Sequence, residues 1–473
     1  MRNIYSSIKT LFLRPYRVSL SALLISALLI SGPAHAFLNI ENNAGSVDLS
    51  AGITTTQSGA KDYNGSGVPG HDGDIYGTSS TELRIMANGA AGDSTRFEIH
   101  LAGDVLFTSM SDGSISMATG DVSGTPARYR YTKGPWLWAS DDGFRANLGF
   151  ERMNIMHSID NIDITIGRQA INFSQAYFWN PLDVFAPFRP EEYNRDYKPG
   201  VDAIRLDLSL GPFSGLSLVG AAGRELVPET LPSGLCVSAE DFEDEPAYGS
   251  ALMLRFRTNI HEWDLSLQAG KAYGGYQIGT GFSGEWLSCG IRGEASCFRA
   301  RPDREVLIAD TDSGSFDTEN IAIDNFSSVI GIDYRFDNSL YVNSEYLFNS
   351  QGDVHESILG MARMAVGQNI SLGPHLIGMQ ITYEIHPLLS AQLIYIQSLP
   401  DKSYLASPTL SYSVSNESDL VCGTSLCSGK GPDSARLDIT DPSGNTETYN
   451  IIESQSEFGS YPSIFFIEFK AYF

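Results

Sequence analysis

Charged side chains recur at alternate positions between apolar residues along much of the chain. Arg145 lies between Phe144 and Ala146, and Arg205 and Asp207 alternate with the aliphatic residues around them. A period of two places the apolar residues on one face of a strand and the charged residues on the other. Charges on the opposite face from lipid would line an aqueous interior, where they select solutes by electrostatics. The predicted pore-lining residues are Arg84, Arg96, Arg145, Arg205, Asp207, Arg255, Arg257, Asp333, Arg335, Glu345 and Glu384.

Within this set, the four residues Arg84, Arg96, Arg145 and Arg205 suggest a basic stripe facing acids such as Glu345 and Glu384. The alternative is that the two signs neutralise each other across a packed interior, as in small barrels. A hydrated pathway and a neutralised interior therefore both fit the pattern.

The segment 169–199 is rich in aromatic residues and contains four prolines. Proline stiffens a loop, and exposed aromatic side chains are unfavourable in water. We expect this loop to fold into the mouth of a barrel as a constriction; a loop packed on its neighbours or a protein-docking surface is the alternative. The predicted constriction residues are Phe178, Trp179, Asp183, Phe185, Phe188, Arg189 and Arg195.

Arg168 shares its strand face with Ile162, Ile164 and Ile166. A charge on a lipid-facing position is unfavourable by roughly 2–4 kcal/mol at mid-bilayer depth. Arg168 should therefore lie above the apolar band, or Gly167 should bend the strand and turn it inward. We predict that it anchors the loop through a carboxylate, with Asp183, Glu191, Glu192, Asp196 and Asp202 as the candidate partners.

Three short patterns resemble a proteobacterial family of porin-like outer-membrane barrels, near the alginate-export-type and general porins. They are Gly167-Arg168-Gln169, then Asn180-Pro181-Leu182-Asp183-Val184, then Arg195-Asp196-Tyr197-Lys198-Pro199-Gly200. The chain has Asn172-Phe173-Ser174 where that family usually has Trp-Gly. The resemblance covers about 35 residues and implies a diffusion or export channel.

The elements that must position these residues are long alternating strands. In the last one, Phe465, Ile467 and Phe469 share one face, while Glu468 and Lys470 share the other. Together with Phe473 at the C-terminus, this is typical of an outer-membrane barrel strand recognised by the barrel-assembly machinery. Long connections at 56–74, 108–142, 169–199, 225–246, 275–325, 351–375 and 400–461 alternate with short turns.

The fold prediction is thus all-β: a single transmembrane antiparallel β-barrel with long extracellular loops and short periplasmic turns. Seven long loops give about 14 strands. The range extends to 18, because 127–133 and 404–415 also have strand character.

Residues 1–36 have the pattern of a secretory signal peptide: four basic residues without an acid, an apolar stretch from Leu20 to Ile30, and Ala34-His35-Ala36 as the cleavage site. Residues 37–473 would then form the barrel. A formal net charge of −25 argues against nucleic acid as a partner. Outer-membrane lipid and lipopolysaccharide are the expected partners, and the destination is the cell outer membrane.

Four cysteines form two closely spaced pairs. Cys289 with Cys297, and Cys422 with Cys427, are close enough in sequence to predict loop-stapling disulfides in an oxidising compartment. No histidine flanks either pair, so no metal site is predicted, and no cofactor motif occurs.

These observations favour a non-enzymatic channel for the passive passage of small solutes or ions. A structural sheath around a periplasmic electron-transfer protein is one alternative, and an outer-membrane hydrolase is another. A hydrolase would need a nucleophile–histidine arrangement, and the histidines lie in no recognisable motif. Both a single barrel and a homotrimer fit the pattern.

Overall fold

The structure is a computed structural model. It describes residues 38–42, 45–61, 75–108, 128–132, 136–141, 143–185, 187, 190, 197–223, 227–231, 234–238, 246–301, 305–310, 315–320, 322–354, 360, 363–364, 367–440 and 446–473. The predicted signal peptide, residues 1–36, lies outside the described residues. No helix in the described part of the chain is long and apolar enough to cross a membrane.

Eighteen antiparallel strands form one closed barrel. They are β1 (Gly45–Lys61), β2 (Ile75–Ala91), β3 (Thr95–Thr108), β4 (Phe144–Ile159), β5 (Ile162–Gln169), β6 (Val201–Ser209), β7 (Ser214–Ala221), β8 (Ala251–Ile260), β9 (Trp263–Ala272), β10 (Gly275–Trp286), β11 (Cys289–Ala300), β12 (Asn325–Arg335), β13 (Tyr341–Asn349), β14 (His375–His386), β15 (Leu389–Ser398), β16 (Tyr404–Ser415), β17 (Ser418–Ser428) and β18 (Ser463–Tyr472).

The predicted count of about 14 strands is wrong. Two of the seven predicted long loops each contain a pair of barrel strands: β10 and β11 lie within 275–325, and β16 and β17 lie within 400–461. β10 and β11 carry glycine and small polar residues at positions where other strands carry branched apolar ones, which weakens the alternation. The extracellular connections that lead into these two hairpins, between β9 and β10 and between β15 and β16, are also short. The prediction had assumed that every extracellular connection is long.

The barrel closes between its first and last strands. β1 pairs with β18 from Gly52↔Tyr472 to Lys61↔Ser463, so neither edge is left open. Backbone bonds in both directions between Ala51 and Phe473 fix the C-terminal residue against β1. Two short strands, Asn39–Asn42 and Trp136–Asp141, pair with parts of β1 and β4.

The outer wall is apolar. Large aliphatic and aromatic side chains are exposed around the ring, among them Leu83, Ile155, Ile204, Leu267, Ile278, Ile332, Leu410 and Phe465. A contiguous apolar band of this kind needs lipid around it, and its strands bond only to one another, so no backbone group faces hydrocarbon unpaired. The protein is therefore a transmembrane β-barrel of the outer-membrane type.

The connections at the two ends differ in length. One end has short turns such as Asp160–Asn161 and Leu287–Ser288. The other end has the long segments, three of which contain their own β-hairpins: Val227–Leu231 with Gly234–Ser238, Glu305–Asp310 with Ser315–Asn320, and Asp433–Thr440 with Thr446–Glu453. Long loops mark the extracellular end.

The predicted disulfides are absent, because strands hold the cysteines apart. Cys289 and Cys297 both lie in β11, and Cys422 and Cys427 both lie in β17; none of these four cysteines forms a disulfide. Five residues of a strand span about 17 Å, whereas a disulfide requires Cα atoms about 4.4–6.8 Å apart.

We therefore expect the β11 and β17 cysteines to remain thiols in the folded protein under oxidising conditions. Alkylation without reductant, followed by proteolysis and mass spectrometry, should find peptides modified at both Cys289 and Cys297. A peptide with an internal 289–297 disulfide would contradict the assigned strand.

Candidate functional site

The eleven predicted pore-lining residues all occupy inward positions of their strands, in phase with buried residues such as His100, Gln268 and Asn343. They differ in access to water. Glu345 is 1% exposed, whereas Arg96, Arg257, Arg335 and Glu384 are exposed. The interior wall is thus charged, as alternation predicts, but its charges are not equally available to a solute.

Two arginines of the predicted basic stripe are neutralised by their own wall. Arg84 on β2 lies 2.7 Å from Glu82 and 3.0 Å from Glu151, and Arg205 on β6 lies 2.6 Å from Asp207. Arg84 and Arg205 therefore face partners beside them, rather than Glu345 and Glu384 on the far side.

Two other arginines differ from these in having no direct ion pair. Arg255 and Arg257 point inward from β8, and no ion pair joins either of them to a carboxylate among the described residues. The Arg255 guanidinium lies over the Phe173 ring, 4.9 Å from its centroid, and its Nε has no hydrogen-bond acceptor in the described structure. β8 therefore presents two arginines to the lumen without a direct ion pair in the described chain, and the nearby Glu294 and Asp183 carboxylates attract Arg255.

The segment 170–185 has no regular secondary structure, so its backbone N–H groups need acceptors elsewhere. Glu294 of β11 supplies several of them. Its carboxylate accepts from the N–H of Gln175, from the N–H of Ala176 at 2.9 Å, from the Ser174 hydroxyl at 2.8 Å and from the N–H of Leu182 at 3.2 Å.

Glu345 of β13 takes the next two N–H groups. Tyr177 and Phe178 each donate a backbone N–H to it, both at 2.7 Å. Four consecutive N–H groups, from 175 to 178, are thus shared between two buried carboxylates. Successive N–H groups turned toward one anion form a nest, which compensates a carboxylate. The Arg292 guanidinium, 3.8 Å from Glu345, adds a formal cation beside that carboxylate.

Apolar side chains of the same segment pack on two parts of the inner wall. Phe173 and Phe185 lie with Val219 and Met253 of β7 and β8, together with Tyr129, Tyr248 and Tyr273. Phe178 and Trp179 lie with Leu347, Leu376, Ile394 and Ile396 of β13 to β15. Phe178, Trp179 and Phe185 are each at most 1% exposed.

Glycines in the wall make room for this packing. A Cβ added at Gly378 of β14 would lie 2.8 Å from the Phe178 ring, and one added at Gly279 of β10 would lie 2.4 Å from Leu182. Both distances are below van der Waals contact. Inward-facing glycines of β10 and β14 are thus the places where the segment approaches the wall.

The predicted constriction residues have mixed outcomes. Phe178, Trp179, Asp183 and Phe185 are buried, the first two in a different cluster from Phe185, whereas Phe188, Arg189 and Arg195 lie outside the described residues. Asp183 forms a buried ion pair with Lys198, near the end of the same loop. Burial raises the pKa of the Asp183 carboxyl, and the adjacent Lys198 ammonium opposes that rise.

Arg168 joins the two ends of the loop. Its Nε lies 2.7 Å from Asp202, the residue facing it on β6, and its guanidinium also donates to Thr132 and to the Phe150 carbonyl. Gly167 has φ of +118°, which strains any side chain there, but Arg168 keeps its outward register, opposite Met153 and Asp202. The segment around Thr132 covers it, so the charge is shielded from lipid.

The end of the loop is held against β2 to β4, the strands that adjoin β5. The Tyr197 ring lies between Arg84 and Arg152, whose guanidinium carbons are 3.7 and 4.3 Å from its centroid. Its hydroxyl bonds His100 at 2.8 Å. Burial raises the pKa of the Tyr197 phenol, so it stays neutral and polar at neutral pH.

Sequence reasoning missed Glu294, Gln268, Gln277 and Lys198. Gln268 donates to the Leu182 carbonyl at 2.7 Å, and Gln277 donates to the Pro181 carbonyl at 2.9 Å. Glu294 and Gln277 were missed because their strands were assigned to a loop. Within the described chain, no three histidine, cysteine or acidic side chains are arranged to bind a metal ion.

Solved structures of other proteins share the fold of this chain. No family model matches the chain, and no curated protein matches it in sequence. Among solved structures, it is similar to Pseudomonas aeruginosa OccK9 (OpdG), with a TM-score of 0.52 and 9% identity over 90% of this chain and 98% of that one. It is also similar to Pseudomonas aeruginosa OccK8 (OprE), with a TM-score of 0.51 and 8% identity over 90% and 98% of the two chains. At these identities, what is shared is the fold of an outer-membrane barrel.

Proposed function

We propose that the protein is an outer-membrane channel through which small solutes diffuse, and that the loop between β5 and β6 narrows its lumen. One observation carries the proposal: the backbone N–H groups of residues 175–178 bond to carboxylates that point into the barrel from β11 and β13. A solute crossing the barrel would then pass beside this loop.

The position of these carboxylates around the barrel supports the proposal that the loop crosses the lumen. The loop leaves the wall at Gln169 of β5, and Glu345 lies on β13, eight strands further along an 18-stranded ring. A segment attached at β5 and bonded at β13 spans most of the lumen width. Because 18 strands enclose more volume than wall side chains can fill, water remains on either side of it.

The energies of these contacts favour a fixed position. Burying an aromatic ring removes about 150–250 Å² from water, which is worth roughly 4–6 kcal/mol before entropy is counted. The side chains of Phe178 and Trp179 are both fully buried. Each hydrogen bond to a charged group adds about 1.5–3 kcal/mol. A loop held by several such contacts would keep one cross-section instead of fluctuating.

The charges beside the loop suggest a preference for anionic solutes. Arg255 and Arg257 form no direct ion pair with a carboxylate of the described residues, although Glu294 and Asp183 lie near enough to attract Arg255. Glu294 and Glu345 are bonded to loop N–H groups, so we propose the two arginines as the charges most accessible to a solute at this level, although the whole chain has a net charge of −25. This replaces the stripe of Arg84, Arg96, Arg145 and Arg205 as the proposed selective element.

The fold argues against a hydrolase, because it is shared with porins. No observation favours the sheath alternative; a correctly folded barrel that passes no ions would support it. Measurement in a planar bilayer under a salt gradient distinguishes the two: steady current steps establish a channel, and a silent membrane contradicts it.

Gly378→Leu should displace the loop, because the new side chain would occupy the space of the Phe178 ring. We expect single-channel conductance to rise by about twofold or more, since the narrowest cross-section limits conduction. Gly103→Leu is the matched control, because Gly103 faces outward on β3, where an added Cβ makes an ordinary contact at 3.4 Å. Equal conductance in both variants would show that the loop does not limit the pore.

Replacing Arg255 and Arg257 by glutamine should shift the reversal potential toward cation selectivity, because it removes two positive charges from the pathway. Lys402→Gln, an exposed position in the short connection between β15 and β16, serves as a charge control. An unchanged reversal potential in Arg255→Gln/Arg257→Gln, with unchanged conductance, would exclude these residues as the selective element.

A further inference from the structure

Phe466 interrupts the alternation of the last barrel strand. It shares the inner face of β18 with Glu468 and Lys470, so its phenyl ring points into the lumen, where it is partly exposed. An apolar ring on a wetted wall is unfavourable, because apolar surface in contact with water costs free energy. Phe466 also lies outside both clusters in which the loop packs. Neither lipid contact nor loop packing therefore explains an aromatic residue at this position.

The Phe466 ring lies close to the wall. Phe466 is paired with Gly423 of β17, and a Cβ added at Gly423 would lie 2.7 Å from Cζ of the ring and 3.0 Å from Cε1. Both distances are too short for a side chain, so the glycine makes room for the ring to lean across β17. The ring thus extends along the wall from β18 toward β16.

Uncharged hydrogen-bonding side chains lie on both sides of the ring. Ser58 is paired with Phe466 on β1, and Ser407 and Gln392 occupy inward positions of β16 and β15. All three are partly exposed, and none of their side chains forms a hydrogen bond with a described residue. Their donors and acceptors are therefore available to a solute. We call Phe466, Ser58, Ser407 and Gln392 the ring platform.

The charges that follow Phe466 on β18 are already paired. Lys470 lies 3.3 Å from Glu468, and Thr56 of β1 donates its hydroxyl to Glu468 at 3.0 Å. The ring platform is therefore a neutral surface.

The ring platform lies beside the loop. Leu405 of β16 and Cys427 of β17 pack with Phe178 and Trp179 of the loop, and Ser407 is two residues further toward the periplasmic end of β16. Inward residues buried in the upper barrel follow one another from β7 to β15: Val219, Met253, Gln268, Glu294, Val329, Leu347 and Ile394. From β16 to β2, by contrast, the wall includes partly exposed inward residues, among them Ser407, Phe466, Ser58 and Thr78. A solute that passes the loop would therefore meet the ring platform.

From this arrangement we propose that the ring platform binds the ring of a sugar, and that sugars are a solute class of this channel; the proposal rests on the channel function proposed above. A sugar ring carries C–H groups on its faces and hydroxyl groups around its edge. The C–H groups would pack on the phenyl ring, whose face carries partial negative charge. The hydroxyl groups would bond Ser58, Ser407 and Gln392, which can donate and accept. Arg255 and Arg257 would act on the charge of a solute, and the ring platform on its uncharged ring.

The width of the ring platform suits one sugar ring. From Ser58 on β1 to Ser407 on β16 there are three strand spacings, about 14 Å at ~4.8 Å each. That span accommodates a six-membered ring with a hydrogen bond on either side. An open-chain polyol has the same hydroxyl groups but no fixed apolar face to place on Phe466.

Single-channel recording in a planar bilayer with added glucose tests the proposal. We expect glucose to reduce the ion current of the unmodified barrel reversibly, because a bound ring occupies part of the pathway. Phe466→Leu keeps an apolar side chain but removes the flat ring, so it should raise the half-blocking glucose concentration by about fivefold. Phe466→Tyr retains the ring and should stay within about twofold of the unmodified barrel.

The matched control is Phe465→Leu, because the same substitution at the next residue falls on the outer wall, where Phe465 is 61% exposed. It should leave the block by glucose unchanged. Sorbitol, an open-chain polyol with as many carbons as glucose, should need a concentration about fivefold higher for the same block.

The outcomes separate the sugar site from the channel function. Steady current steps that glucose leaves unchanged would overturn the sugar site and leave the channel intact. Equal block by glucose and sorbitol, or an equal effect of Phe465→Leu and Phe466→Leu, would do the same. A membrane without current steps contradicts the channel, and the sugar site with it. If Phe466→Leu does not insert, Ser58→Ala combined with Ser407→Ala decides, and an unchanged half-blocking concentration in that variant refutes the site.

Discussion

The arrangement inside the barrel depends on one constraint: polar backbone groups that leave a sheet must still be bonded. The segment 170–185 is neither helix nor strand, yet much of it is buried. Some of its N–H groups bond acceptors within the segment, as that of Asp183 bonds the Asn180 carbonyl, but those of residues 175–178 bond Glu294 and Glu345. The same contacts solve a second problem, because a buried carboxylate without partners is strongly unfavourable. Neither the loop nor the two glutamates would be stable in place without the other.

The rest of the inner wall follows from this mutual dependence. Wall glycines at 279 and 378 let the loop approach closely enough for these bonds, and inward apolar residues of β13 to β15 take up its aromatic rings. The Arg168–Asp202 pair then joins the strands on which the loop begins and ends. Arg255 of β8 lies over the Phe173 ring of the same segment, near the Glu294 and Asp183 carboxylates.

Much of the fold could be predicted from the sequence, because period-two alternation is a direct consequence of lipid on one side of a strand and water on the other. Alternation also placed Glu345 and the arginines of β8 on the inner wall. It failed at β10 and β11, where small residues such as Gly284 and Gly293 stand on the outward face. The inward Gly279 serves loop packing, which is a tertiary requirement with no local signal. Glu294 lies on β11 and was therefore not predicted as an inward residue. The disulfide prediction failed for the same reason, because short spacing brings two cysteines together in a loop but separates them along a strand.

The direct test of the account is whether residue 178 touches β14 in the folded protein. Phe178→Cys combined with Gly378→Cys, in a chain whose five natural cysteines are replaced by serine, places two thiols where a Cβ at 378 lies 3.0 Å from Cγ of Phe178. The account predicts a disulfide on mild oxidation of the folded barrel, detected by mass spectrometry of the digested protein. Phe178→Cys with Gly103→Cys, on the outer wall, should give none. A folded barrel in which the 178–378 pair stays reduced would contradict a loop fixed across the lumen.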